Sequence, residues 1–152
     1  MSKKTVIMGV GNLLLCDEGI GVHASQEIAK WDLPEHVSVF DAGTLGLLSA
    51  PLFVNADTLI FIDSVEAQGE PGTVFRFSKE DIMLDRFPMK LSPHQIGVQD
   101  TLLISELRGE CPSTIIFYGI IPSSYEANLE LTPPCQKALA EVLEEIKKII
   151  FE

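Results

Sequence analysis

The 152-residue chain is poor in positive charge: 11 Lys and Arg stand against 22 Asp and Glu, a formal net charge of −11. It has no basic excess to neutralise phosphates, which disfavours a nucleic-acid partner. No apolar run approaches the roughly 20 residues that span a bilayer, so no membrane insertion is expected. The start Met1-Ser2-Lys3-Lys4 is basic, but Thr5 to Leu15 contains Gly-Val-Gly-Asn and runs into acids without a small-residue cleavage site. A signal peptide is therefore not expected, and a cytoplasmic location is. The three cysteines, Cys16, Cys111 and Cys135, are odd in number and form no Cys-x-x-Cys pair; they read as reduced thiols and not as a disulfide frame or zinc knuckle. A Gly-x-Ser-x-Gly elbow is missing, and the cysteines lack a clear His partner, which weakens any acyl-enzyme route. Low-complexity segments, internal repeats and linkers are absent too, so one domain over residues 1–152 is expected.

What is present is an alternation of strand-like and helical segments. Apolar runs at Thr5–Val10, Val37–Asp41, Thr58–Asp63 and Thr114–Ile121 read as strands, with Thr58–Asp63 the type buried on both faces. Thr73–Phe77 follows the turn cluster Gly69-Glu70-Pro71-Gly72 and reads as an antiparallel addition. Helices are expected from about Glu18, with Ile20, Ala24, Ile28 and Trp31 on one stripe; over Leu45–Asn55; from Ser92 to about Arg108; and from Thr132-Pro133 onward. The terminal helix carries Leu139, Val142, Leu143, Ile146 and Ile150 as its apolar face. The fold class is α/β: a three-layer sandwich with a twisted, mixed, mostly parallel sheet and helices on both faces. Such sheets bind ligands beyond the carboxyl ends of their strands.

The loop after the first strand reads Gly9-Val10-Gly11-Asn12-Leu13-Leu14-Leu15-Cys16-Asp17-Glu18-Gly19-Ile20-Gly21. Gly9 and Gly11 fit a dinucleotide fingerprint, but its third glycine is Leu14 here. Asp17 suits the N-cap of the following helix and Glu18 its first turn. Their charge would meet a pyrophosphate with repulsion, although a helix start otherwise attracts anions. Asp41 could still mimic a ribose-binding acid, so a nucleotide-binding protein stays as a weak alternative. The other option is a cation facing Glu18.

Glu18 would need partners. Asp63 closes the buried strand at the sheet's carboxyl edge, though read alone it is equally a turn residue. His94 lies in Ser92-Pro93-His94-Gln95, a capping box with Pro at the first helical position and Leu91 and Ile96 as a hydrophobic staple. That fixes it on a first turn, where the helix dipole disfavours imidazolium. A satisfied surface or core histidine is the bland alternative, and His23 and His36 are assigned to it. Two carboxylates and an imidazole suit a divalent metal such as zinc or nickel, with an open position for water or substrate.

These pieces together resemble the nickel–iron (NiFe) hydrogenase maturation endopeptidases, the family that processes the C-terminus of the hydrogenase large subunit. The matching motifs are Gly9-Val10-Gly11-Asn12, Leu14-Leu15-Cys16-Asp17-Glu18-Gly19-Ile20-Gly21, Asp41-Ala42-Gly43-Thr44, Asp63, Ser92-Pro93-His94-Gln95-Ile96-Gly97 and Gly119-Ile120-Ile121-Pro122, in the family's order over nearly the whole chain. The resemblance implies that Glu18, Asp63 and His94 are the metal-binding positions and that Asp41 has the catalytic role. It implies an aspartyl-type peptidase family that removes the C-terminal extension of a nickel-loaded large-subunit precursor. Nickel would be carried by that precursor; zinc or cadmium could take the same ligands in vitro. The family's Asp-Gly-Gly-Thr has lost one glycine at Ala42, and Cys16 falls where the motif specifies nothing. A non-enzymatic nickel-binding checkpoint or chaperone using the same ligands is the main alternative.

Overall fold

The computed structural model describes residues 3–43, 50–84 and 93–151, with the side chains at 50 and 93–98 left aside. Five strands, β1 (Thr5–Val10), β2 (Val37–Gly43), β3 (Thr58–Ser64), β4 (Val74–Ser78) and β5 (Thr114–Ile120), form one sheet in the order β2-β1-β3-β5-β4. All neighbours are parallel except β4, which runs antiparallel to β5. The helices are α1 (Ile20–Ile28), α2 (Ala50–Phe53), α3 (Lys79–Met83), α4 (Pro93–Leu107) and α5 (Pro133–Phe151). The expected mixed, mostly parallel sheet between two helical layers is what forms.

The central strands are apolar on both faces because each face has its own core. Val6, Met8, Leu59, Phe61 and Phe117 pack with Phe53, Ile82 and Leu102 from α2, α3 and α4. Ile7, Ile60, Ile62, Tyr118 and Ile120 pack with Ile20, Ala24 and Ile28 of α1 and with Ala138, Val142 and Ile146 of α5. Period-2 alternation along β3 thus feeds two cores instead of one core and solvent. Phe61 and Phe117 meet edge to face at 4.5 Å between ring centres, a favoured aromatic geometry.

Two local features depart from expectation. Residues Cys16–Gly19 form a short 3-10 turn, and α1 starts only at Ile20, so Trp31 lies beyond the end of the helix. α3, unread in the sequence, starts at a reciprocal capping box in which Ser78 and Asp81 bond each other's backbone amides. The capping box and staple expected at residues 91–96, and the first part of the helix expected over Leu45–Asn55, fall outside what is described.

β1 connects to β2 on one side, whereas β3 adds on the other, so the strand order reverses between β1 and β3. In open α/β sheets such a switch point opens a crevice at the carboxyl ends of the strands.

Candidate metal-recognition and active site

The residues that follow β1 and those that close β3 flank this crevice. Asp63 is fully buried within β3, and its Oδ1 accepts the Ser64 amide hydrogen at 2.7 Å. Gly11, just past β1, has φ +137°, a backbone region that favours glycine. A Cβ there would collide with the Glu18 carbonyl oxygen and lie 3.4 Å from Asp63 Oδ1. The missing side chain therefore lets the Glu18 carbonyl pack against Gly11, with the Asp63 carboxylate beside it. Glu18 itself is half-buried on that turn.

The turn reaches this place through two more glycines. A Cβ on Gly21 would collide with the carbonyl oxygens of Val10 and Ile62, and one on Gly9 with the Gly21 carbonyl. The first turn of α1 thus rests directly on the ends of β1 and β3. The close helix–strand approach that a dinucleotide fingerprint assigns to its third glycine is made here by Gly21, after the acids instead of before them.

Asp17 does not cap α1, contrary to the sequence reading. Gly19 occupies the N-cap with no side-chain hydrogen bond. The Asp17 carboxylate is fully buried and turned toward the segment after β5. Its Oδ2 accepts the amides of Ser123 (2.8 Å) and Ser124 (3.1 Å) and the Thr132 hydroxyl (2.7 Å), and its Oδ1 accepts the Thr132 amide (2.8 Å). Burial alone would raise its pKa, but these four hydrogen bonds outweigh that and hold it lowered. Cys16, at φ 52°, adds a buried thiol that donates to the Glu130 carbonyl at 3.2 Å. Backbone bonds Cys16 N–H to Asn128 O and Asn128 N–H to Leu14 O complete the seam. The turn bearing Glu18 is thereby fastened to residues 123–132.

That segment presents Tyr125, which nothing in its sequence context marked. Its phenol pKa is raised, first by desolvation and then by the charges of Glu66, Glu18, Asp63 and Asp17. The crevice is rimmed by acids, an environment for a cation.

His94 is the second residue of α4. α4 ends at Leu107, and β5 begins at Thr114 on the amino edge of the sheet, beside Thr58. Fifteen helical residues extend roughly 22 Å, so the helix starts toward the carboxyl edge, where Glu18 and Asp63 lie. The structure places the Glu18 backbone carbonyl and the Asp63 carboxylate beside Gly11; the His94 side chain lies outside the described residues.

Asp41 stands at the exposed end of β2, opposite Gly9, where a register shift separates the pairs Gly9–Asp41 and Val10–Gly43. Its Oδ1 accepts the Gly43 amide at 2.9 Å. Asp41 lines an open pocket of about 230 Å³ with Gly11, Asn12, Leu13, Val22 and Gly43. Gly11 is the shared wall: it meets Asp63 and the Glu18 carbonyl, and it also borders the pocket of Asp41.

The sequence profile of the hydrogenase maturation protease family matches residues 22–149. The chain belongs to the hydrogenase maturation proteases. The hydrogenase 2 maturation protease of Escherichia coli (strain K12) is 34% identical over 151 residues, 98% of this chain and 92% of that protein. The hydrogenase expression/formation protein HupD of Rhodobacter capsulatus is 34% identical over 82% of this chain and 60% of its own length. Among solved structures, the hydrogenase maturating endopeptidase HybD from E. coli superposes with a TM-score of 0.88 at 33% identity, over 96% of this chain and 91% of that one. The NiFe hydrogenase maturation protease HybD from Thermococcus kodakarensis gives 0.81 at 25% identity, over 97% and 99%.

As a hydrogenase maturation protease the chain is an endopeptidase. Cys16 and Cys135 are buried, all three thiols are free, and burial with the Asp17 charge pushes the Cys135 thiol up to about 11. A thiol so protonated is a poor nucleophile at neutral pH. Ala42 replaces the usual glycine without backbone strain: its φ is not positive and its methyl packs in the core, while Gly43 keeps φ 50°. No helix among the described residues is long and apolar enough to cross a membrane.

Proposed function

We propose that this protease recognises the nickel of a NiFe-hydrogenase large-subunit precursor through Glu18, Asp63 and His94, and then removes that precursor's C-terminal extension. The observation that carries this reading is the meeting of the Glu18 turn and Asp63 at Gly11, beside the pocket of Asp41. Two carboxylate donors and an imidazole at one sheet edge fit a borderline divalent ion, and the surrounding acids favour positive charge. The metal arrives as part of the substrate, so binding it docks the scissile segment over the neighbouring pocket. Proximity of this kind converts recognition into rate.

Asp41 serves as the proton acceptor. Gly43 fixes its Oδ1, and its Oδ2 has no hydrogen-bond partner among the described residues. A carboxylate held this way can take a proton from the water that attacks the scissile carbonyl.

The test compares nickel-loaded and nickel-free precursors incubated with the protein. Trimming of the loaded form alone supports the reading. Trimming of both refutes nickel recognition, and trimming of neither refutes the activity on this substrate. Glu18→Gln, Asp63→Asn and His94→Ala should each abolish trimming and weaken cadmium or zinc binding measured by calorimetry. A non-enzymatic checkpoint would bind the loaded precursor and leave its length unchanged.

A further inference from the structure

We propose that Asn12 is a further catalytic residue, whose side-chain amide donates a hydrogen bond to the oxygen of the scissile carbonyl as charge develops there. This deepens the reading of the Asp41 pocket as the place where the peptide is cut, and it rests on that reading. Asn12 lines the pocket together with Asp41 and sits next to Gly11, where a Cβ would collide with the Glu18 carbonyl and lie 3.4 Å from Asp63 Oδ1. It is half-buried, and its position is fixed twice over. Its Oδ1 accepts the Leu14 amide at 3.0 Å, and its backbone carbonyl accepts the Leu15 amide at 3.2 Å. The Leu14 N–H is a donor, so the atom facing it must be the amide oxygen and the Nδ2 group is assigned by chemistry.

The two Nδ2 hydrogens then have no partner among the described residues. A half-buried amide group, held rigid through its oxygen, with donors unspent beside a carboxylate base, is the arrangement an oxyanion requires. The local turn uses only the oxygen, so the nitrogen is surplus to the fold.

The step balances without any other reactant. A water oxygen bonds to the carbonyl carbon while Asp41 takes one of its protons, and the carbonyl π pair moves onto the oxygen facing Asn12. Collapse re-forms the C=O, the C–N bond breaks, and the proton passes from Asp41 to the leaving amine.

The experiment separates the turn from the chemistry, because each role uses a different atom of one side chain. Asn12→Asp keeps the Oδ1 acceptor and removes the donors, and Asn12→Ala removes both without adding charge. With nickel-loaded precursor, both should lose about 10²- to 10³-fold in kcat, the usual cost of one oxyanion donor, with KM held within about threefold. Asn12→Ser, whose hydroxyl accepts and donates, should keep the wild-type cadmium affinity and melting temperature and lose less rate than Asn12→Ala. Wild-type kcat in Asn12→Asp or Asn12→Ala would overturn the proposal and leave Asn12 as a turn residue, with the function above intact. A wild-type chain that trims no loaded precursor would overturn that function and the role of Asn12 with it.

Discussion

Asp17 and Thr132, separated by 115 positions, are joined by two hydrogen bonds: the Thr132 amide to Asp17 Oδ1 at 2.8 Å and its hydroxyl to Oδ2 at 2.7 Å. With Ser123 and Ser124 on Oδ2 as well, one buried carboxylate holds the segment after β5 to the turn that carries Glu18. Replacing Asp17 by Ala leaves buried amide donors with nothing to bond, and the expected loss is about 3 kcal/mol of unfolding free energy. The sign of the pH effect follows from the lowered pKa. The unfolded chain, with a carboxyl near the ordinary 3.8, binds this proton more readily than the native state. The stabilisation is therefore full above that value and fades as pH falls through the lower folded pKa. Urea unfolding of wild type and Asp17→Asn from about pH 6 to about pH 3 should show the gap closing toward acid. A constant gap would mean that the charge contributes nothing.

Gly11→Ala is expected to injure both fold and site. The methyl would meet the Glu18 carbonyl and the φ of +137° is unfavourable for alanine. Such substitutions destabilise by more than about 1 kcal/mol, and relief requires the Glu18 turn to move away from Gly11 and the Asp63 carboxylate beside it. Cadmium affinity should drop together with stability. A variant that melts lower but binds cadmium as wild type does would show that the turn's distance from Asp63 is irrelevant to the ligand set.

The sheet was legible because β1, β3 and β5 are continuous β-rich runs and Gly69-Glu70-Pro71-Gly72 marks the reversal before β4. The terminal helix was legible because Leu139, Val142, Ile146 and Ile150 keep helical spacing. The turn at Cys16–Gly19 was not, since its geometry comes from long-range bonds to Asn128, Glu130 and Thr132 that leave no local pattern. Asp17 looked like an N-cap for the same reason: residue type and spacing suit a cap, and only tertiary contact redirects the carboxylate. α3 escaped notice because it is five residues long and has little apolar periodicity to read. Asp63 and Asp41 stand at strand ends and Glu18 near the expected start of a helix, places that mark them in the sequence, while Tyr125 lies in a segment held by bonds from Leu14, Cys16 and Asp17. Gly21 was quoted as part of a motif, but its packing on Val10 and Ile62 needed the third dimension.

The acid rim makes a spectroscopic prediction at Tyr125. Desolvation and the fields of Glu66, Glu18 and Asp63 raise its pKa above the usual 10. Each carboxylate opposes the phenolate, so Glu66→Gln or Glu18→Gln should lower the midpoint. Salt should do the same, because a side chain 49% exposed is well screened. The phenolate absorbance of wild type minus Tyr125→Phe isolates this group from Tyr118, which burial pushes up to about 12. A midpoint unmoved by both substitutions and salt would place the acids too far away to act on the crevice.

Asp41 offers the sharpest separation of chemistry from recognition. Asp41→Asn retains an oxygen for the Gly43 amide and so preserves the end of β2, but an amide cannot accept the proton of the attacking water. Removing a general base costs about 10²- to 10⁴-fold, and that loss should appear in kcat on nickel-loaded precursor. Cadmium affinity should not change, because Asp41 is not among the proposed metal ligands. Asp41→Ala removes the bond to Gly43 as well and should also lower the melting temperature. If Asp41→Asn trims at the wild-type rate, the proton goes elsewhere and Asp41 only shapes the pocket. If it loses rate and cadmium affinity together, Asp41 belongs with the metal ligands and not with the base.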